Sequence, residues 1–99
     1  MPINIIYQFS ALVWQHSSPS GWYFVSLPTE LATEIRELFK KQEEGWGRMK
    51  AIAKISEIEW ATAIWFDSKL GTYLLPIKAE IRNREMIDVG TELNVEILL

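Results

Sequence analysis

The sequence predicts a mostly β fold: a small β-barrel with one main α-helix, built from two related halves. Three observations carry this expectation. An apolar run that ends at a proline and leads into a polar, helix-compatible segment occurs twice, as Tyr23-Phe24-Val25-Ser26-Leu27-Pro28-Thr29-Glu30-Leu31-Ala32 and as Tyr73-Leu74-Leu75-Pro76-Ile77-Lys78-Ala79-Glu80-Ile81. Each copy then returns to alternating strand, over 49–55 and 93–99. Only one stretch keeps helical spacing over several turns. On this reading residues 21–55 and 71–99 superpose, with Pro28 and Pro76 at equivalent strand ends.

The elements follow in order. In 3–14, Ile3, Ile5, Tyr7, Phe9, Ala11 and Val13 share one parity while Asn4, Gln8 and Ser10 hold the other, the period of a half-buried strand. Residues 15–21, rich in Ser, Pro and Gly, form a loop. Residues 22–27 make a second strand that Pro28 ends, because proline cannot donate to a ladder. Thr29 is placed to cap a helix, with Glu30 in its first turn and Lys40 and Lys41 in its last, as the helix dipole favours. Leu31, Ile35, Leu38 and Phe39 give that helix its apolar stripe, and Leu31, Ile35 and Phe39 are expected to close the barrel on one side. Gly45-Trp46-Gly47 leads into a strand with Met49, Ala51, Ala53 and Ile55 inward and Arg48, Lys50 and Lys54 outward. A turn near Ser56-Glu57-Ile58, a strand over 59–66, a turn over 67–71 and a strand over 72–75 follow. A short helical segment over 78–84, a turn over 87–90 and a last strand complete the chain.

Ninety-nine residues with a 48% hydrophobic fraction are expected to form a single domain, 1–99. A chain of this size buries roughly 60–65% of its unfolded surface, enough for one core without staples. No cysteine is present, which excludes a disulfide framework and thiolate chemistry. Met1-Pro2-Ile3-Asn4-Ile5-Ile6 lacks the basic segment of a signal peptide, and no apolar run approaches the ~18 residues of a membrane span. The expectation is a cytoplasmic protein with no membrane partner. A net charge of −3 weighs against nucleic acid, which selects a basic face.

The second half resembles the swapped-hairpin module of AbrB-type regulators and MazE-type antitoxins. Leu75-Pro76, Lys78, Ile81, Arg82, Ile87, Val89-Gly90, Leu93 and Val95 carry that likeness. Those proteins build one barrel from two chains, and here one chain carries both halves. A nearly full-length resemblance is to bacterial domain-of-unknown-function family 1905. Its carriers are Phe9-Ser10-Ala11, Val13-Trp14, Gly21-Trp22, Phe24-Val25, Leu27-Pro28 and Ile35, then Gly45-Trp46-Gly47, Trp60, Thr62, Tyr73-Leu74-Leu75-Pro76-Ile77-Lys78 and Gly90. The family often has a glycine pair in the hairpin before the tryptophan, where this chain has Ser56-Glu57-Ile58. The resemblance implies a double-split β-barrel with an internal pseudo-two-fold and brings no activity. Some relatives are fused to a YdeI/OmdA-like domain, which implies a functional link to such a domain.

No catalytic set emerges. His16 is the only histidine, and without cysteine or a second histidine it does not specify a metal site, so no metal and no cofactor are expected. Asp67 and Asp88 fall in turns, where aspartate caps backbone amides. Arg48, Lys50 and Lys54 on one strand, and Lys78, Arg82 and Arg84 on the second helical segment, read as solvated faces diluted by Glu57, Glu59, Glu80 and Glu85. Five tryptophans are many for this length. Trp60 reads as core; Trp65 and Ile64 have opposite parity, so one of them faces out. Trp14 and Trp22 flank the loop that holds His16, and Trp46 lies between two glycines. If these strand ends meet at one barrel mouth, Trp14, His16, Trp22 and Trp46, joined by Lys78, form a shallow aromatic pocket for a small molecule or a peptide. The expected function is therefore that of a non-enzymatic binding or interaction module, able to act as a monomer. The alternative is a nucleic-acid-binding domain, by analogy with AbrB-like barrels.

Overall fold

Alternation decides which side chains turn inward, and the fourth strand shows it cleanly. Met49, Ala51, Ala53 and Ile55 are buried, while Lys50, Ile52 and Lys54 are exposed. The computed structural model describes residues 5–17, 21–39, 41, 43 and 47–99. Within these the chain forms β1 (Ile6–Leu12), β2 (Trp14–Gln15), β3 (Tyr23–Ser26), α1 (Thr29–Phe39), β4 (Arg48–Ile55), β5 (Ile58–Asp67), β6 (Thr72–Pro76), α2 (Ala79–Glu85) and β7 (Glu92–Leu98). All strands join one antiparallel sheet in the order β1-β7-β4-β5-β6-β3-β2.

The two ends of that sheet are one chain segment. Only Val13 separates β1 from β2. Its N–H donates to the Thr91 carbonyl (2.9 Å) and its carbonyl accepts from the Gly90 N–H (2.8 Å). The segment thus leaves β7 and joins β3, which bends the sheet round into a barrel. β5 makes the same transfer without a break: Ile58 to Trp65 pair with β4, and Trp65 to Asp67 pair with β6. These are two splits in one mostly β barrel, packed around a core that includes Val25, Ile35, Ala53, Ile64, Tyr73, Leu75 and Ile97.

The splits are related by a pseudo-two-fold axis. β3 pairs with β6 about Val25 and Leu75. Leu27 N–H donates to the Tyr73 carbonyl (3.0 Å), and its counterpart Ile77 N–H donates to the Tyr23 carbonyl (2.9 Å). Gly21-Trp22-Tyr23 corresponds to Gly71-Thr72-Tyr73, and both glycines sit at positive φ, +62° and +70°. A side chain at either would be strained, and at Gly21 a Cβ would also lie 2.8 Å from the Gln15 side chain. Trp14 opposite Phe24 corresponds to Trp65 opposite Leu74, so β1–β2 is the counterpart of β5. The repeat therefore begins earlier than the sequence reading placed it. Thr29 and Ala79 open the two helices at equivalent positions. Consequently Pro28 corresponds to Lys78, and Pro76 to Ser26. The prolines are two residues out of step, because Pro76 lies within its paired strand and Pro28 beyond its own.

α1 buries Ala32, Ile35 and Phe39, with Leu31 partly covered and Leu38 exposed. Thr29 is the first helical residue rather than the cap, and the Pro28 carbonyl accepts the Ala32 N–H (3.0 Å). The helix ends at Phe39, so Lys41 lies beyond it; Lys40 is outside the described residues. Asp67 Oδ1 accepts the N–H groups of Lys69 and Leu70, and Asp88 Oδ1 that of Val89, the turn roles their sequence context predicts. No helix among the described residues is long and apolar enough to cross a membrane.

Two buried phenols give the core a pH dependence. The Tyr73 hydroxyl donates to Glu43 Oε1 (2.5 Å), a carboxylate that also faces the Arg36 guanidinium at 3.8 Å. Burial first, then the Glu43 hydrogen bond and charge, push the Tyr73 phenol well above its ordinary value, against a smaller opposing effect of Arg36. Tyr7, whose buried hydroxyl has no hydrogen-bond partner among the described residues, is raised by burial and by the Glu34 charge. Both phenols hold their protons more tightly folded than unfolded. Their contribution is complete below about pH 10 and is lost as pH rises beyond it. Urea melts between pH 8 and 12 should show stability level at first, then falling by up to roughly 1.4 kcal/mol per pH unit through the Tyr73 phenol, with a smaller loss through Tyr7. Tyr73→Phe should remove most of that slope; an unchanged slope would mean the Tyr73 phenol is not responsible.

Candidate binding cleft

The split between β5 and β6 leaves an opening. On its β6 side β5 has no strand partner before Trp65, while β6 runs on to Pro76 and α2 begins at Ala79. Between them lies a cleft of about 380 Å³, within the range of small-molecule sites. Trp22, Tyr23 and Trp60 supply its aromatic surface, Ile77 an aliphatic wall, and Lys78 and Arg82 its charge. Trp60 lines the cleft although it is only 8% exposed.

Arg82 is held from two directions. Its Nε–H donates to the Ile77 carbonyl (3.1 Å), and its guanidinium lies 3.7 Å over the Tyr23 ring centroid. Among the described residues those contacts leave the Nη groups unused, and neither Arg82 nor Lys78 has a carboxylate partner. Trp22, Ala61, Thr62 and Pro76 are shared with a shallower groove on the outer face that also holds Trp65, Arg48 and Lys50. Cleft and groove together carry four of the chain's ten cations and no Asp or Glu of the described residues, although the net charge is −3.

From Trp22 at the cleft the aromatics extend as a row. Trp14 lies 5.2 Å from Phe24, Phe24 lies 6.2 Å from Trp22, and Trp22 lies 5.8 Å from Trp65, measured between ring centroids. The indole N–H of Trp14 donates to Ser26 Oγ (2.9 Å), and His16 lies 6.4 Å from Trp14. The structure brings Trp14, His16 and Trp22 into this one row, on the barrel exterior rather than around a mouth. Only Trp22 and Lys78 of the sequence candidates line the cleft. Trp46 lies outside the described residues. Trp65 turns outward while Ile64 is fully buried.

Tyr23, Trp60 and Arg82 are the cleft residues that sequence reasoning did not assign to a site. Their signal is the broken symmetry. Trp60 stands where the other half has Phe9, Trp22 where it has Thr72, Lys78 where it has Pro28 and Arg82 where it has Ala32. The barrel is built in both halves, so the fold does not require the larger and charged members of these pairs. Among the described residues no group of three or more His, Asp or Glu is placed to hold a metal ion.

Among curated proteins none matches the chain. A family model, "Domain of unknown function (DUF1905)", matches residues 9–97, nearly the whole of the barrel. The chain, with its doubled half-units and split mostly β barrel, belongs to that family.

Proposed function

We propose that the protein is a non-enzymatic binding module whose β5–α2 cleft takes a small organic ligand with a flat, apolar body. The observation that carries this reading is the asymmetry of the two halves: Trp22, Trp60, Lys78 and Arg82 gather around one opening, while their counterparts are Thr72, Phe9, Pro28 and Ala32. Aromatic walls with a few placed polar groups are what such sites use for affinity and orientation. Among the described residues no nucleophile paired with a base lies in the cleft, which favours binding over catalysis. Nucleic acid is the weaker reading, since the groove's cations sit on an acidic chain.

The test is a titration of the protein with a set of one- and two-ring fragments, followed by amide and indole N–H chemical shifts. Shifts should gather on Gly21 to Tyr23, Trp60 to Thr62 and Ile77 to Arg82. Trp22→Ala should abolish them while the variant keeps a cooperative thermal melt. Shifts gathered elsewhere, or none with any fragment, would overturn the proposal. Filter binding to random duplex DNA at low salt should give no retention.

A further inference from the structure

Resting on that reading, we infer that the ligand of the cleft is an anion: a ring-bearing molecule whose carboxylate or phosphate head docks between Arg82 and Lys78. The argument starts from cost. A half-buried guanidinium with no counter-charge among the described residues gives up hydration and receives no ion pair from them in return. Arg82 accepts this position because Tyr23 stacks on one face and the Ile77 carbonyl takes its Nε–H. Both contacts fix the plane of the fork without neutralising it. A fixed planar fork whose Nη–H donors meet no acceptor among the described residues is the shape that meets two oxyanion oxygens side by side.

Lys78 supplies a second cation to the same cleft, on an exposed side chain with no ion-pair partner among the described residues. The corresponding residues of the other half, Pro28 and Ala32, carry no charge at all. Both cations are thus additions to a barrel that closes without them. The aromatic surface of Trp22 and Trp60 lies in the same cleft, so one ligand can place a ring on the indoles and its head on the cations. The cleft's volume accommodates a body of one or two rings.

Three naphthalene probes that share a ring system separate the possibilities: 2-naphthoate, 2-naphthyl phosphate and the neutral 2-naphthamide, each followed by amide chemical shifts. Wild-type protein should bind at least one of the anions about ten-fold or more tighter than the amide, the effect of a charge-assisted hydrogen bond. The tighter of the two anions identifies the head group. Arg82→Gln and Lys78→Gln should each erode that advantage, and the exposed Lys78→Gln guards against loss of fold in the first. Lys54→Gln, on another face, should leave it intact. If the amide binds as tightly as both anions, the cleft reading stands and the anion inference falls. If no probe moves the cleft resonances, both fall. An advantage that survives both substitutions would overturn the assignment of Arg82 and Lys78.

Discussion

Truncating Phe39 to alanine should cost about 3–5 kcal/mol, the range for a buried aromatic whose cavity cannot collapse. Phe39 is 7% exposed at the last position of α1, where the helix carries its third buried contact to the core after Ala32 and Ile35. Leu38 is the internal control: it is the neighbouring residue on the same turn, 58% exposed, and Leu38→Ala should stay within about 0.5 kcal/mol. Urea denaturation of the two variants checks both values. A loss below about 1 kcal/mol for Phe39→Ala would mean that α1 rests on the barrel without closing it.

Leu75→Ala should be comparably severe, at about 2–5 kcal/mol. Leu75 is fully buried and faces Val25 across the pair on which the pseudo-two-fold axis falls. Both strands there are pinned by the hydrogen bonds of Leu27 to Tyr73 and Ile77 to Tyr23, so neither can slide inward to fill the space. Equilibrium unfolding of Leu75→Ala alone and combined with Val25→Ala tests this. Two losses that simply add would show that the residues do not share a cavity.

The fold was legible wherever the pattern was local. The alternation of β4 needs only period two, and its small Ala51 and Ala53 between Met49 and Ile55 read correctly from the sequence. The break at Val13 was not legible, since Ala11 and Val13 keep the parity of β1. What interrupts the strand is the distant Gly90–Thr91 turn, which claims both backbone groups of Val13. The repeat was legible through Tyr23 and Tyr73, but the prolines were poor anchors for it. Proline marks where a ladder lacks a donor, and that can happen inside an edge or past an end. Gly21 and Gly71, both at positive φ, mark equivalent positions more strictly.

The candidate site divides the same way. Trp22 and Lys78 stand beside punctuation that the sequence displays, a glycine turn and a helix start. Trp60 has the alternation of a core residue, and it is one; that it also lines the cleft depends on β6 joining β5 only from Trp65 onward. Arg82 reads as the outer face of a short helix until the register brings Tyr23 beneath it. Trp14 and His16 are near Trp22 as expected, yet the outward parity of β2 and β3 puts them in a row across the exterior.

The strand order has a consequence for what such a barrel is free to become. β1 pairs with β7 and β5 with β4, so each half lends a strand to the other and neither can bury its own apolar face. A barrel of this plan assembled from two identical chains must carry the same residues at both splits. Any side chain that suits one opening is imposed on the other, whether packing welcomes it or not. Covalent joining of the halves lifts that constraint. Pro28 and Ala32 can then serve packing alone at one split, while Lys78 and Arg82 stand at the other. The single chain is what allows half of the molecule to specialise while its twin keeps the scaffold closed.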